Sequence, residues 1–111
     1  MTLNEKIKIV RDALNTTSGP VYHYRKDQNA GNRYIVWQED RDDSIMYASN
    51  GRSERSIHGT IDLFTLTEYD ELADQLETAL ETASRITYRL NTVMYEDDTN
   101  FIHYEWEFWV V

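Results

Sequence analysis

The sequence predicts an α+β fold in which two helices pack on a mixed or mainly antiparallel sheet. Two segments carry apolar residues at helical spacing, and two others alternate apolar and polar residues as half-buried strands do. Turn-forming residues separate these segments. The 111 residues suffice for one domain, and 41% of them are hydrophobic, so a core can form. We therefore expect residues 1–111 to form a single domain.

The first helix is predicted from an apolar stripe near the start of the chain. The stripe follows i, i+4, i+7 and i+11 spacing and consists of Leu3, Ile7, Val10 and Leu14. Residues 18–20, Ser-Gly-Pro, disfavour a helix, so the helix should end before them.

Two short strands and a long loop are predicted next. Residues 21–24 and 34–37 are rich in aromatic and β-branched side chains, which favour strands, and a polar turn at 27–32 separates them. Residues 38–55 are polar and charged except at 45–48, which we expect to form a short strand or ordered patch. We expect this segment to be a mobile loop that assembly orders, because it buries too little to offset its ordering entropy.

Residues 56–65 alternate with period two and predict a strand. Its apolar face consists of Ile57, Gly59, Ile61 and Leu63. A glycine inside a strand indicates either a β-bulge or a close approach of another group to the backbone.

A second helix is predicted after this strand. Residues 67–70 resemble a capping box with Thr67 as the cap, although Asp70 stands where Glu or Gln is usual. The apolar stripe that follows consists of Tyr69, Leu72, Leu76, Ala79, Leu80 and Ala83.

The chain ends in a predicted hairpin. Residues 87–95 and 101–111 read as strands, and the polar residues 96–100 form the turn between them. The predicted core face of the last strand consists of Ile102, Tyr104, Trp106, Phe108 and Val110. The opposite face carries His103, Glu105, Glu107 and Trp109, so Trp109 is a candidate exposed anchor for a partner.

Charge is distributed unevenly along the chain, whose net charge is −9. Residues 1–55 have a balance of +1 and residues 56–111 a balance of −10. The acidic half would repel a phosphate backbone, so we expect no nucleic-acid partner. A solvated surface that only confers solubility accounts for this split. Alternatively, acidic and basic faces on neighbouring molecules steer assembly.

Several other classes of protein are disfavoured by composition. Without cysteine the chain has no disulfide and no thiolate metal site, which fits a reducing compartment. The first residues lack the basic and then apolar pattern of a secretory signal. No apolar run is long enough to span a membrane, so we expect no membrane partner.

A nucleophile site is the first catalytic possibility. Ser56 stands two residues from His58, on the same face of the predicted strand. No nucleophile-elbow motif or oxyanion-hole signature accompanies this pair. We therefore predict no catalytic residues.

A metal site is the second possibility. His103, Glu105 and Glu107 share one face of the last strand, and His58 and Asp62 share a face of another. Such ligands would converge if the two strands were neighbours. Alternating polar residues are nevertheless typical of the wet face of a half-buried sheet. We predict no metal and no cofactor.

Four segments together resemble a known family. They are residues 34–40 (YIVWQED), 57–65 (IHGTIDLFT), 90–99 (LNTVMYEDDT) and 102–106 (IHYEW). They are similar to the tail-terminator proteins, also called tail-completion or head–tail joining proteins, that phages and prophages of Gram-positive bacteria with siphovirus-like tails encode. The resemblance covers most of the chain from residue 21 onward, and residues 42–52 are not part of it.

The resemblance implies a structural protein with no catalytic residues to carry over. It implies a mixed sheet with helices and a hexameric ring that caps the finished tail tube. The implied partners are further copies of the chain, the tail-tube protein and a head-completion or connector protein. The implied locations are the host bacterial cytoplasm during assembly and then the virion tail.

The charge pattern and this resemblance together give a set of candidate interface residues. These are Arg41, Arg52, Arg55, Glu105, Glu107 and Trp109. We also expect the acidic half to meet basic residues of a neighbour, such as Lys6, Lys8, Arg11, Arg52 or Arg55. The alternatives are another neck or connector component, a small acidic inhibitor that mimics nucleic acid, and an unrecognised enzyme.

Overall fold

The computed structural model describes residues 1–43 and 55–111, which form two helices and five strands. In chain order these are α1 (Leu3–Leu14), β1 (Val21–His23), β2 (Arg33–Asp42), β3 (Ile57–Thr65), α2 (Glu71–Thr82), β4 (Ile86–Tyr95) and β5 (Ile102–Val110). Neither of these helices is long and apolar enough to cross a membrane. The short strand expected at residues 45–48 lies outside the described residues.

The five strands form one mixed sheet in the order β1-β2-β3-β5-β4. β1 runs parallel to β2, and every other neighbouring pair is antiparallel. The last two strands form the predicted hairpin, in which the Glu96 N–H donates to the Phe101 carbonyl at 2.8 Å. The predicted α+β fold, a mixed sheet with two helices packed on it, is confirmed.

Both helices pack on one face of the sheet, which we call the helix face. The strands supply Ile35, Trp37, Ile57, Ile61, Leu63, Trp106, Phe108 and Val110, and the helices supply Val10, Leu14, Leu72, Leu76 and Leu80. Burial of such side chains is the main favourable term in folding. The faces predicted for residues 56–65 and for the last strand are confirmed, because their apolar sides form this core.

One basic residue of α1 lies inside the protein. Lys6 is only 3% exposed, and its Nζ donates to the backbone carbonyl of Arg55 at 2.5 Å. The expectation that Lys6 meets acidic residues of a neighbouring molecule is therefore wrong. Its aliphatic stem packs inward on the helix, and its amine finds a backbone acceptor instead of an external carboxylate.

Strand β2 continues five residues beyond its predicted end at Trp37, as far as Asp42. The predicted loop 38–55 therefore begins too early, because four of residues 38–42 pair with β3. A register shift between Glu39 and Arg41 carries the strand past this polar stretch. Residues 44–54 of the predicted loop lie outside the described residues.

Gly59 of β3 lies directly opposite this bulge, paired with Glu39. A Cβ atom at this position would come within 2.2 Å of the Gln38 carbonyl oxygen and 2.4 Å of the Phe108 ring. The predicted close approach is confirmed, and it explains why a residue without a side chain stands here. The bulge itself belongs to the neighbouring strand.

Helix α2 begins three residues later than the predicted capping box. Its N-cap is Asp70, whose carboxylate accepts the Leu72 backbone N–H at 2.9 Å. The predicted cap, Thr67, is not at the helix boundary. Tyr69, predicted on the apolar stripe, is 88% exposed and has a positive φ of 60°, so it belongs to the preceding turn. Residues 67–70 have the residue types of a capping box, but the helix is capped by the last of them, Asp70, whose carboxylate is a better acceptor than the Thr67 hydroxyl.

Asp70 also connects α2 to two strands. Arg33 of β2 donates to both of its carboxylate oxygens, at 2.7 and 2.8 Å, and the Thr65 hydroxyl of β3 donates at 2.7 Å. The hydrogen bonds from Arg33 are the main reason that the pKa of the Asp70 carboxyl lies well below its usual range. The side chain of Asp70 is almost fully buried, so its charge depends on these donors.

Replacing Trp106 should weaken the fold far more than replacing its neighbour Glu105. Trp106 is 1% exposed, and its indole N–H donates to Glu77 of α2 at 2.8 Å. We expect Trp106→Ala to lower the free energy of unfolding by about 3–5 kcal/mol. Glu105→Ala should change it by about 0.5 kcal/mol or less. Urea unfolding measures both, and equal losses would show that the two faces of β5 are assigned wrongly.

Asp70→Asn should destabilise the protein in a pH-dependent way. The pKa of Asp70 in the folded state lies below its unfolded value of about 3.9. The ionised carboxylate therefore contributes to stability above about pH 3.9, and this contribution is lost as the pH falls through the folded-state pKa. We expect a loss of about 2–3 kcal/mol at neutral pH. The difference in the free energy of unfolding between the wild type and Asp70→Asn should become smaller below about pH 4.

The matched control is Asp74→Asn, an exposed acid in the first turn of the same helix. It should change the free energy of unfolding by about 0.5 kcal/mol or less. Thermal melts of the three proteins across a pH series make the comparison. A constant gap between wild type and Asp70→Asn at all pH values would contradict the role assigned to the ionised carboxylate.

Candidate functional site

The second face of the sheet is covered by neither α1 nor α2, and we call it the open face. β3 and β5 form its centre, and they pair without a break. This register places His58 beside Trp109, Thr60 beside Glu107, Asp62 beside Glu105, and Phe64 beside His103. The polar residues predicted on two separate strands are therefore neighbours.

His58 is a deeply buried polar residue of the open face, with 2% exposure. Its Nδ1 lies 2.7 Å from a carboxylate oxygen of Asp40, and its Nε2 lies 2.9 Å from one of Glu107. When both acids are ionised, both contacts are hydrogen bonds at once only if both ring nitrogens carry protons. The ring is thus held between two acids that come from strands on either side of β3.

Trp109 packs against His58, and Arg41 lies beside one of its acidic partners. The Trp109 ring meets the imidazole edge-on at 5.2 Å, and the Trp109 indole N–H donates to Asp43 at 2.8 Å. Arg41 lies 3.5 Å from Asp40 and 3.9 Å from Asp43. The candidate anchor Trp109 is therefore partly buried and held by its own chain.

Glu107 has two side-chain partners. Besides its contact with His58, it accepts a hydrogen bond from the guanidinium of Arg89 on β4. The hydrogen bond with His58, followed by that with Arg89, lowers the pKa of the Glu107 carboxyl. Only 12% of its side chain is exposed, so little of it is available to a partner.

A second histidine cluster lies farther along the same face. His103 Nε2 is 2.7 Å from Asp62, its Nδ1 is 3.3 Å from Glu96, and its ring stacks on Phe64 at 4.2 Å. Burial raises the pKa of the Asp62 carboxyl, although the hydrogen bond with His103 opposes this shift. This cluster joins the β4–β5 turn to the body of the sheet.

The third histidine lies at the edge of the sheet. His23 stacks on Trp37 at 3.9 Å and on Tyr24 at 3.7 Å, and its Nε2 lies 2.7 Å from Glu39. Burial raises the pKa of the Glu39 carboxyl, but hydrogen bonds from Tyr24 and His23 outweigh this effect and hold the pKa below its usual range. Each of the three histidines thus has a carboxylate partner.

These pairs bear directly on the two sites considered from the sequence. Across residues 1–43 and 55–111, no group of three or more histidine and acidic side chains is arranged to hold a metal ion. Four of the side chains considered as metal ligands bind one another instead, because His58 contacts Glu107 and His103 contacts Asp62. Ser56 is buried just before β3, whereas His58 directs both ring nitrogens at acids.

The candidate interface residues separate into two groups. Arg41 and Arg55 lie near the same end of the sheet with about half of each side chain exposed, at 55% and 51%. Glu105 is partly buried, within 3.4 Å of Asn91. Together with Glu107 and Trp109, described above, it belongs to the open face. Arg52 lies outside the described residues.

Three residues of the open face were missed by the sequence analysis. Asp40 and Asp43 fell in the predicted loop, and only the bulge in β2 brings Asp40 to His58. The sequence does single out Arg89, because it is one of only two basic residues in the segment 56–111, where acidic residues are in large excess. A lone cation in an acidic segment is a good candidate for a partner of a buried acid.

A groove of about 950 Å³ runs between the helices on the other side of the molecule. Its apolar floor includes Ile9 and Ala13 of α1 and Ala79 of α2, and its rim includes Asp12 and Asp74. It lies apart from the open face and contains no histidine.

Comparison with protein-family models and with curated protein sequences gives no match for this chain.

A double-mutant cycle should show strong coupling between His58 and Glu107. We expect a coupling free energy of about 1–3 kcal/mol from the variants His58→Ala and Glu107→Ala and their combination, because each single change removes one hydrogen bond of a buried group. The exposed pair Tyr88 and Glu81, joined by a 2.6 Å hydrogen bond, is the control. Tyr88→Phe and Glu81→Ala should couple by less than about 1 kcal/mol. Additive effects at His58 and Glu107 would contradict the buried pairing.

Proposed function

We propose that this chain is a structural assembly protein of a phage tail, of the tail-terminator type, which caps the tail tube and joins the tail to the head. The observation that carries the proposal is the location of the four family-like segments. Residues 34–40 lie in β2, 57–65 form β3, 90–99 include the end of β4, and 102–106 lie in β5. The resemblance thus falls on four adjacent strands and not on scattered surface positions.

The chemistry of this sheet supports a structural role. Its histidines and acids are joined in pairs, which stabilise a fixed surface. A protein that caps a tube needs such rigid surfaces with defined charge, since partners change shape little in most preformed interfaces.

The charge distribution supports assembly with copies of the chain and with tail proteins. Arg41 and Arg55 lie near one end of β2 and β3, whereas the acidic residues 96–98 form the β4–β5 turn at the opposite end. Unlike charges at opposite ends suit head-to-tail contacts, which close into a ring when the rotation allows it. We propose a hexameric ring, with the tail-tube protein and a head-completion or connector protein as its further partners.

The principal rival is an acidic inhibitor that mimics nucleic acid. Its support is α2, which carries four acidic residues, Glu71, Asp74, Glu77 and Glu81, and no basic one. Two of these acids are used internally, because Glu77 accepts from Trp106 and Glu81 accepts from Tyr88. Another neck or connector component is the nearest alternative. A tail-tube gene and a tape-measure gene directly downstream would favour the terminator.

The proposal predicts association with the tail-tube protein that depends on charge. Exposed charges are screened beyond about 8–10 Å at physiological salt, so they should speed association more than they hold the complex together. We expect association to be slower at high salt, and slower again when Arg52 and Arg55 are both changed to glutamate. Light scattering and native mass spectrometry across a salt series measure rate and stoichiometry.

The control for this experiment is the double variant Arg25→Glu and Lys26→Glu, which makes the same change of net charge between β1 and β2. An equal slowing in both double variants would show that net charge acts, and not the surface at Arg55. A chain that never binds the tube protein, at any salt or concentration, would overturn the proposed function. Binding to a DNA-binding protein instead would support the acidic inhibitor.

A further inference from the structure

Strand β4 is a long open edge of the sheet. It has ten residues, pairs with β5 on one side only, and is the last strand in the sheet order. The backbone groups on its outer side have no strand neighbour within the described residues. Such an edge is a template for a further strand unless it is short, charged, covered or interrupted by proline.

The sequence of β4 has little of this protection. Arg89 is its only charged residue, and it contains no lysine and no proline. Residues 90–95 expose large apolar side chains, with Leu90 at 44%, Val93 at 51%, Met94 at 52% and Tyr95 at 58% exposure. Four of the nine exposed large apolar residues described in the chain thus stand on one six-residue stretch.

The charges around β4 have a direction. Arg85 and Arg89 lie at its beginning, and they are the only basic residues among positions 56–111. Glu96, Asp97 and Asp98 follow its end. A strand that is basic at one end and acidic at the other is complementary to itself when two copies run antiparallel.

A bulge changes which side chains of β4 share a face. The register with β5 shifts between Leu90 and Thr92, so Asn91 divides the edge into two regular halves. An antiparallel pair about an axis near Asn91 sets the first half of β4 in each copy beside the second half of β4 in the other. It also brings the basic beginning of each strand close to the acidic turn of the second molecule, twice.

We propose that two copies of this chain associate through β4, antiparallel, about a two-fold axis near the middle of the strand. The contact joins two five-stranded sheets into one and covers Val93 and Met94 of both copies. It is separate from the ring of the proposed function and does not rest on it. A two-fold contact uses the same patch on both molecules and closes with two, whereas a ring needs two different patches.

The test measures the oligomeric state of the isolated protein by sedimentation equilibrium. We expect a concentration-dependent dimer whose dissociation constant rises about tenfold or more in Val93→Lys. Each copy then carries a lysine on the strand through which the two copies pair, and charged side chains on an edge strand oppose such pairing. Leu66→Lys is the control, since Leu66 is similarly exposed, at 47%, but lies outside β4. It should leave the dissociation constant unchanged.

A charge exchange tests the direction of the pairing. Arg85→Glu and Asp97→Arg should each weaken the dimer by about threefold or more, and the chain that carries both changes should recover the original affinity. Backbone amide exchange tests the pairing in the wild-type protein, without any substitution. The outer amides of β4 should exchange more slowly as the concentration of wild-type protein rises.

The outcomes separate the two proposals. A protein that is monomeric at every concentration, or a dimer that ignores Val93→Lys and the charge exchange, overturns pairing through β4. Neither result affects binding to the tail-tube protein. Loss of tube binding with an intact β4 dimer overturns the proposed function alone.

Discussion

The unbroken pairing of β3 with β5 is the interaction on which the rest of the structure depends. Nine residues of β3 face nine residues of β5 in a single register, from Ile57 opposite Val110 to Thr65 opposite Ile102. A shift of one residue would move Trp106 and Ile61 from the helix face to the open face and leave polar residues in the core. The core and the open face are therefore two results of one register.

Much of the fold could be predicted because alternation is a strong signal where only one face of a sheet is buried. The apolar faces of β3 and β5 and the stripe of α2 from Leu72 onward follow directly from spacing. The errors fall where local and tertiary effects compete. β2 continues through polar residues because a bulge keeps it paired, and Lys6 is buried because a backbone carbonyl lies within reach.

The open face could be predicted only in part. Period two assigned His58, His103 and Glu107 to strand faces, but spacing within a strand does not say which strand lies next to it. The partners of His58 come from β2 and β5, 18 and 49 residues away along the chain. Only the topology of the sheet brings these groups together, and it turns a pattern that resembled scattered metal ligands into a set of internal hydrogen-bonded pairs.

The burial of Lys6 has a chemical consequence for experiments in solution. The chain contains three lysines, and amine-directed reagents modify a lysine only when its nitrogen is accessible. Lys8 and Lys26 are exposed, whereas the buried amine of Lys6 donates a hydrogen bond to the carbonyl of Arg55. Acylation at Lys6 therefore requires that α1 first separate from that carbonyl, which makes this one nitrogen a built-in reporter of local opening.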